Sequence, residues 1–171
     1  MQQGKDVILM FQSTDAALAS SGYVLGHLTD NKYSIENDIL DETTKFGRIV
    51  GYGQNSEAFE FTAFAEKADP GQKAVLDAIR NKKQIKVWEV DLNVNEEGTH
   101  DSLFAYSIVE SVEKSAADGF VELSGTVQVI GSTVEGTIPA LPPEVIEFAT
   151  YGFEAPGATT GEFPEQTPAT P

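Results

Sequence analysis

The pattern closest to a metal-binding motif is formed by Asp91, Asn93 and Asn95, which lie two residues apart. This spacing imitates the first ligands of an EF-hand calcium loop. The match then fails, because the sixth position is Glu96 where the loop needs glycine, and the twelfth is Ser102 where it needs a bidentate glutamate. Since tight turns favour the same residue types, the segment predicts a hairpin turn instead of a metal site.

The two histidines offer no second candidate for chemistry. His27 and His100 lie in different segments, and neither has a carboxylate partner at a recognisable spacing. The chain has no cysteine, which excludes disulfides and thiolate ligands, and it carries no nucleophile elbow, phosphate-binding glycine loop or zinc-protease motif. The sequence therefore predicts no catalytic residue, no metal site and no cofactor.

One helix running into a strand is the clearest element of the chain. Asp69 can cap the first free amides, Pro70 suits the first helical position, and Gln72 stands where a capping box has its second partner. Apolar residues then recur at helical spacing, which predicts a helix over 70–80. The period changes to two over Gln84–Leu92, which predicts a strand directly after the helix.

The remainder of the chain is typical of β-structure punctuated by turns. Lys5–Ser13 is predicted to be a strand or an arm, and the other predicted strands are Tyr23–Thr29, Ile49–Tyr52, Glu57–Glu66, His100–Glu113 and Gly119–Ile130. We expect a mainly β fold, either a β-sandwich or a partly open barrel, with one flanking α-helix, a long projecting hairpin loop and extended terminal arms. The predicted organisation is a β-domain over 1–150 with an N-terminal arm at 1–6, followed by a proline-rich, flexible C-terminal arm at 151–171.

The segment 30–48 has neither a clean helical nor a clean strand period. Its length favours a projecting β-hairpin or a binding loop. A solvated surface loop would leave Ile35, Ile39, Leu40 and Phe46 in water, and exposed apolar clusters usually mark interfaces. The segment is therefore predicted to make contacts. The candidate contact residues are Asp30, Ile35, Glu36, Asp38, Ile39, Leu40, Asp41, Glu42, Lys45 and Arg48.

The segment Gly119–Ile130 has the cleanest alternation of apolar and polar residues. It predicts a strand with one buried and one solvated face. The apolar face comprises Val121, Leu123, Val127 and Val129, interrupted at Gly125. The solvated face comprises Glu122, Ser124, Thr126 and Gln128.

Trp88 alternates with Lys86 and Val90 on the strand after the helix. Burial in the core or contact with another copy of the protein explains this face better than ligand stacking does.

The chain is strongly acidic, with a formal net charge of −16 at pH 7, and its last basic residue is Lys114. Such a surface repels phosphate and disfavours binding to nucleic acid or to an anionic membrane. The acidity serves either solubility or a surface along which nucleic acid passes without binding, and charge alone does not choose between them. The longest apolar run near the N-terminus, Val7–Phe11, is too short for a signal peptide or a membrane span.

Three blocks of the chain resemble a known family when they are taken in order. They are DPGQKAVLDAIRNKKQIKVWEVD from Asp69, GRIVGYG from Gly47, and VQVIGSTVEGTIPALPPE from Val127. Together with the N-terminal GKDVILMFQS and the Thr/Gly/Pro-rich ending, they resemble the major tail tube protein of long, non-contractile-tailed bacteriophages, the siphophage tail tube family.

This resemblance implies a structural virion protein without catalysis. In that family six subunits form a ring, and the rings stack into a tube that holds the tape measure protein and later conducts double-stranded DNA. The implied partners are other copies of the chain, the tape measure protein, and tail-tip and tail-terminator proteins. Assembly in the host cytoplasm and a final location in the virion are implied as well.

The resemblance also implies roles for the candidate residues. The segment 30–48 would contact the adjacent ring, and the solvated face of Gly119–Ile130 would line the lumen, although an outer face stays open. The alternatives are a secretion-system-type tube protein and a monomeric β-sandwich binding module.

Overall fold

A computed structural model describes residues 3–18, 20–142, 155–156, 158–161 and 167–168. The chain divides into two compact units, Met1–Ala140 and Leu141–Pro171. The described residues of the first unit include a 3-10 turn at Gly4–Asp6 and one α-helix, α1 (Pro70–Asn81). Its strands are β1 (Val7–Ser13), β2 (Tyr23–Val24), β3 (Leu28–Thr44), β4 (Gly47–Phe64), β5 (Gln84–Val94), β6 (Thr99–Ser115), β7 (Glu122–Val129) and β8 (Val134–Pro139).

Helix α1 confirms the prediction for 70–80 and is one residue longer. The Gln72 amide donates to Asp69 Oδ1 at 2.8 Å, which satisfies one of the free amides of the first turn. The helix ends where Lys82 adopts a left-handed conformation, with φ of 53°. The Lys83 amide then donates to the Ala78 carbonyl at 3.0 Å and closes the C-terminus.

The strands form one antiparallel sheet of eight strands. Seven of them follow the order β2-β1-β5-β6-β7-β4-β3, and β8 pairs with β6 beside them. In a flat sheet, four spacings of about 4.8 Å would separate β1 from β4 by roughly 19 Å. The ring centroids of Phe11 on β1 and Phe61 on β4 are nevertheless 5.7 Å apart. The sheet therefore curls upon itself, and the predicted partly open barrel is the form that the chain adopts.

The core fills the concave side of this curled sheet. Leu9, Phe11, Phe59, Ile85 and Val127 are buried there, and α1 packs against the same cluster. Strand β7 has the predicted alternation, since Leu123 and Val127 are buried.

Gly125 stands on this buried face because β7 has no room for a side chain at that position. A Cβ atom there would lie 2.8 Å from Phe61 Cζ and 2.7 Å from the Ser111 carbonyl oxygen. The Phe61 ring occupies the space that a side chain at position 125 would need.

Three predictions about the strands were wrong in detail. Tyr23–Thr29 is not one strand, because the chain turns at His27, where φ is 53°, and Asp69 Oδ2 accepts from the Gly26 amide. Ile49–Tyr52 and Glu57–Glu66 are not separate strands but parts of β4, which is continuous because β3 pairs with it along nearly its whole length. Strand β8 was not predicted from the sequence.

Several predictions concern residues that the structure does not describe. The sequence LPPE from Leu141 predicts a short helical turn through Phe148, and its residues from 143 onward lie outside the described residues. Met1 and Gln2 of the N-terminal arm lie outside them too. Most of the arm 151–171 is likewise not described; within it Thr159–Thr160 pairs with Thr167–Pro168. Among the described residues, no helix is both long and apolar enough to cross a membrane.

Candidate assembly surfaces

The segment 30–48 comprises most of β3, the turn and the start of β4 in a long antiparallel hairpin, and we call the outer part of this hairpin, Glu36–Ser56, the distal hairpin. Strand β3 has 17 residues, β4 has 18, and the register runs from Leu28 opposite Ala63 to Thr44 opposite Gly47. All ten candidate contact residues lie on this hairpin and are exposed. Their role as contacts stays a prediction, but the structure brings them together on one projecting element.

Both faces of the distal hairpin carry exposed apolar side chains. Ile39 lies opposite Tyr52, and Val50 follows on the same face; these side chains are 65%, 85% and 53% exposed. Leu40 and Ile49 lie on the other face, again more than half exposed. Phe46 at the tip is fully exposed. Exposed apolar clusters of this size usually indicate an interface.

A bidentate ion pair crosses the hairpin near its tip. Arg48 Nε donates to Asp41 Oδ1 at 2.8 Å, and the second guanidinium contact reaches Oδ2 at 2.5 Å. The Arg48 guanidinium lowers the pKa of Asp41, although solvent screens the pair. The pair links the two strands near the tip and neutralises one of the acidic side chains.

Backbone geometry shapes the hairpin at two glycines. Gly47 closes the turn with φ of 130°, a conformation that L-residues rarely adopt. At Gly53 a Cβ atom would lie 2.8 Å from the Asp38 carbonyl oxygen, beside the register shift between Asn37 and Ile39. That shift is a β-bulge, which locally changes the twist of the hairpin.

The lumen candidates Glu122, Ser124, Thr126 and Gln128 lie on the convex side of β7, between β4 and β6. Thr126 is flanked by Glu60 and Ser111, and Glu60 in turn pairs with Lys32 at 3.3 Å. Gln128 Nε2 donates to Glu110 Oε2 at 2.7 Å. The four residues therefore belong to a polar, carboxylate-rich band that extends over β3, β4, β7 and β6.

A buried carboxylate network was missed by sequence reasoning. Glu57 is 4% exposed and accepts from Tyr33 Oη at 2.6 Å and from the amide and hydroxyl of Thr133 at 3.1 and 2.6 Å. Burial pushes the pKa of Glu57 upward, but the hydrogen bonds from Thr133 and Tyr33 outweigh it, and the pKa is lowered. Alternation could have revealed this network, since Glu57 shares a face with the core residues Phe59 and Phe61.

The network ties β3 and β4 to the turn between β7 and β8. Because one carboxylate receives three donors, it anchors that turn to the barrel. The network therefore stabilises the fold of the subunit.

The segment from Asp91 forms the predicted hairpin turn between β5 and β6. Asn95 Oδ1 accepts from the Glu97 amide at 3.0 Å and from the Thr99 amide at 3.1 Å. Among the described residues, no group of three or more His, Cys, Asp or Glu side chains is arranged to hold a metal ion. His100 is fully buried on β6, and neither of its ring nitrogens has a hydrogen-bond partner.

A second apolar surface lies on the convex side of β5, β6 and β8, and we call it the aromatic face. The Trp88 and Phe104 ring centroids are 5.1 Å apart, and those of Phe104 and Tyr106 are 5.3 Å apart. Lys86 Nζ lies 5.8 Å from the centroid of the Tyr106 ring. The aromatic face comprises Lys86, Trp88, Phe104, Tyr106, Ile108, Ile130 and Val134.

The family of the chain follows from its similarity to known proteins. Residues 1–135 match the family described as phage tail tube protein. The chain belongs to this family. It is a siphophage tail tube protein, a structural component of the phage tail in the virion.

Two relatives agree with the assignment. The chain is 42% identical to the tail tube protein gp17.1* of Bacillus phage SPP1 over 168 residues, which cover 96% of this chain and 64% of the relative. It therefore spans a little less than two thirds of that relative's length. It is 30% identical to a putative tail protein of Staphylococcus phage phiMR11, covering 84% of this chain and 79% of the relative.

Solved structures match the fold as well. A structure of the SPP1 tail tube, determined by solid-state NMR and electron cryo-microscopy, superposes with a TM-score of 0.81 at 38% identity, covering 95% of this chain and 96% of that one. The tail of a gene transfer agent particle, refined with C6 symmetry, gives a TM-score of 0.62 at 14% identity over 78% of this chain and 98% of that one. At that identity the second match shows the fold alone.

Proposed function

We propose that this chain assembles into hexameric rings that stack into the hollow tail tube, and that the tube conducts double-stranded DNA into the host cell. The observation that carries the proposal is the match to a subunit of the SPP1 tail tube over nearly the whole chain. The tube would hold the tape measure protein before ejection and end at tail-tip and tail-terminator proteins. Assembly takes place in the host cytoplasm, and the subunit performs no catalysis.

In this proposal the distal hairpin contacts the adjacent ring. Ten residues from Gly47 to Ser56 span about 30 Å in extended conformation, which suits an element that reaches beyond its own ring. Its exposed apolar side chains supply affinity, and its charged side chains set the register.

The polar band around β7 is proposed to line the lumen. It carries Glu122, Glu60 and Glu110 close to the uncharged Ser124 and Thr126. Carboxylates on the wall would repel the DNA backbone, whereas cations would release counterions and retain the DNA. In this arrangement the acidity of the chain lets DNA slide.

Negative-stain electron microscopy of the purified chain, concentrated and left to stand, tests the assembly. We expect long hollow tubes with a regular axial repeat. A chain that stays monomeric, and that also fails to join tubes seeded with tail-initiation complexes, would overturn the proposal.

The hairpin is tested by replacing Ile39 and Leu40 together with aspartate. Because both side chains are more than 60% exposed, the variant should fold normally, but charged groups in the contact should block stacking. Circular dichroism checks the fold, and microscopy checks for tubes. Tubes of normal length from this variant would contradict a role for the hairpin in stacking.

The lumen is tested by replacing Gln128 with lysine. Tubes should form as before, while DNA ejection from phage that carry the variant should slow, because six added cations per ring would bind phosphate. DNA ejection is measured at low and high salt from the fluorescence of a dye that binds the released DNA. Gln128→Asn is the matched control, and unchanged ejection by the lysine variant at low salt would count against this face as the lumen wall.

A further inference from the structure

The exposed apolar side chains of the first unit concentrate in two separate places. One is the distal hairpin, and the other is the aromatic face, where Tyr106, Ile108, Ile130 and Val134 are 45%, 52%, 43% and 61% exposed. Alternation over the middle of β6 puts Phe104, Tyr106 and Ile108 on its convex side and Ala105, Ser107 and Val109 in the core. The aromatic face is therefore no part of the core. It adjoins the polar band on the same side of the sheet, since Ile108 lies opposite Gln128, but none of its own residues is among the proposed lumen residues.

We propose that the aromatic face is the surface that receives the distal hairpin of a second copy of this chain. The inference rests on the proposed function, since it names the contact by which one ring holds the next.

Two different surfaces are what an open assembly requires. A contact between a patch and its own copy is isologous and closes at a dimer, whereas a contact between two different patches on one molecule continues into a ring or a filament. If hairpins packed on hairpins, each contact would use the hairpins of both rings, and no hairpin would be left to bind a third ring. A hairpin that packs on the aromatic face leaves one free surface at each end of the stack.

The chemistry of the two surfaces is complementary. The aromatic face combines three neighbouring rings, in tilted and edge-to-face contact, with aliphatic side chains and a cation, Lys86. The hairpin offers Leu40 and Ile49 on one face, with the acidic Glu42 beside them. Glu42 lies opposite Ile49 on this face, outside the Asp41–Arg48 pair, and is the carboxylate that would lie opposite Lys86. Apolar contact supplies the affinity, and the charge pair selects the orientation.

Cross-linking tests the contact directly, because the chain has no cysteine of its own. A chain that carries both Leu40→Cys and Ile108→Cys is assembled into tubes and treated with a short bis-maleimide cross-linker. We expect a ladder of dimers, trimers and longer species on a denaturing gel, since every chain would contribute one of each cysteine.

Two controls distinguish this contact from chance proximity. In the first, Ile108→Cys is replaced by Ser115→Cys, an exposed position about 24 Å away on the same strand, and no ladder should form. In the second, Leu40→Cys stands alone, and no dimer should form. A dimer from Leu40→Cys alone, or equal ladders from Ser115→Cys and Ile108→Cys, would overturn the proposal.

Mixing variants gives an independent test. The hairpin variant, Ile39→Asp with Leu40→Asp, keeps its aromatic face, while Ile108→Asp keeps its hairpin. Neither should form tubes alone, but a mixture should give complexes that contain both chains and do not elongate. Each variant carries its own fluorescent label, and size-exclusion chromatography shows whether the two labels elute together.

The outcomes separate the inference from the function on which it rests. If the unmodified chain forms tubes and folded Ile108→Asp also forms tubes of normal length, the aromatic face is not the receiving surface, and the proposed function stands. Val134→Asp, at a more exposed position, gives the same comparison if Ile108→Asp fails to fold. If the unmodified chain forms no tubes even when seeded, both proposals fall.

Discussion

The two halves of strand β4 belong to one continuous strand but have opposite surroundings. From Glu57 to Phe64 every second side chain is buried, whereas from Gly47 to Ser56 no residue is buried. The proximal half pairs with β7 as well as β3, and the distal half pairs with β3 alone. One strand thus contributes to the core of the subunit at one end and to its proposed contact with other subunits at the other.

The difference shows how stability and assembly are separated along one element. Residues of the proximal half lie among buried side chains, so their substitution should change the free energy of unfolding. None of the residues of the distal half is buried, so most substitutions there should change the free energy of unfolding little and act on assembly instead. Substitutions along β4 can therefore test the separation.

The largest effect is expected for Phe59→Ala in the proximal half. The Phe59 ring is fully buried and lies 5.2 Å from the Tyr33 ring. Its removal should cost about 3–5 kcal/mol of unfolding free energy through lost burial and the cavity left behind. Urea unfolding of the dilute, unassembled chain measures this cost. Tyr52→Ala, on the distal half, should stay within about 0.5 kcal/mol of the unmodified chain; equal losses from both variants would contradict the separation.

A smaller effect is expected for Glu57→Gln at the start of the proximal half. The variant keeps the shape but loses the charge in the hydrogen bonds from Tyr33 and Thr133, which should cost about 1–3 kcal/mol at pH 7. Because the pKa of Glu57 is lower in the folded chain than in the unfolded one, its contribution is fully present above the unfolded pKa, about 4.3. It is lost as the pH falls through the folded pKa.

The measurement is urea unfolding of Glu57→Gln and the unmodified chain at a series of pH values. The difference in unfolding free energy between them should be constant near neutral pH and should shrink below about pH 4. Glu60→Gln, at a half-exposed position on the same strand, is the control and should show a small difference throughout. A difference in unfolding free energy that grows as the pH falls would contradict a lowered pKa of Glu57.

The smallest effect on stability is expected within the distal half itself. A Cβ at Gly53 would meet the Asp38 backbone, whereas at Gly51 it would meet nothing within 4 Å. We expect Gly53→Ala to distort the bulge at a cost of about 1 kcal/mol and to impair tube formation, while Gly51→Ala does neither. Thermal unfolding and microscopy of the two variants make the comparison. Equal assembly of both would mean that the shape of the bulge is irrelevant to stacking.

Sequence reasoning was most successful where the determinants are local. The helix was predicted because its cap, its first-turn proline and its apolar spacing all lie within 69–83. The alternation of β7 gave the correct buried and solvated faces for the same reason. By contrast, β8 was missed because its residues are nearly all exposed, so no period distinguishes it; its pairing with β6 defines it.

For this protein the sequence by itself determined the helix, most of the strands, the mainly β class, the acidity and the ordered blocks that resemble tail tube proteins. The tertiary structure alone decided how the sheet curls, since the closeness of Phe11 and Phe61 depends on residues far apart in the chain. It alone also decided that β4 is continuous, that Glu57 is buried among donors, and that Trp88, Phe104 and Tyr106 share one face. The physical reason is that periodicity records which side of a strand is buried, but strand order and register decide which residues meet.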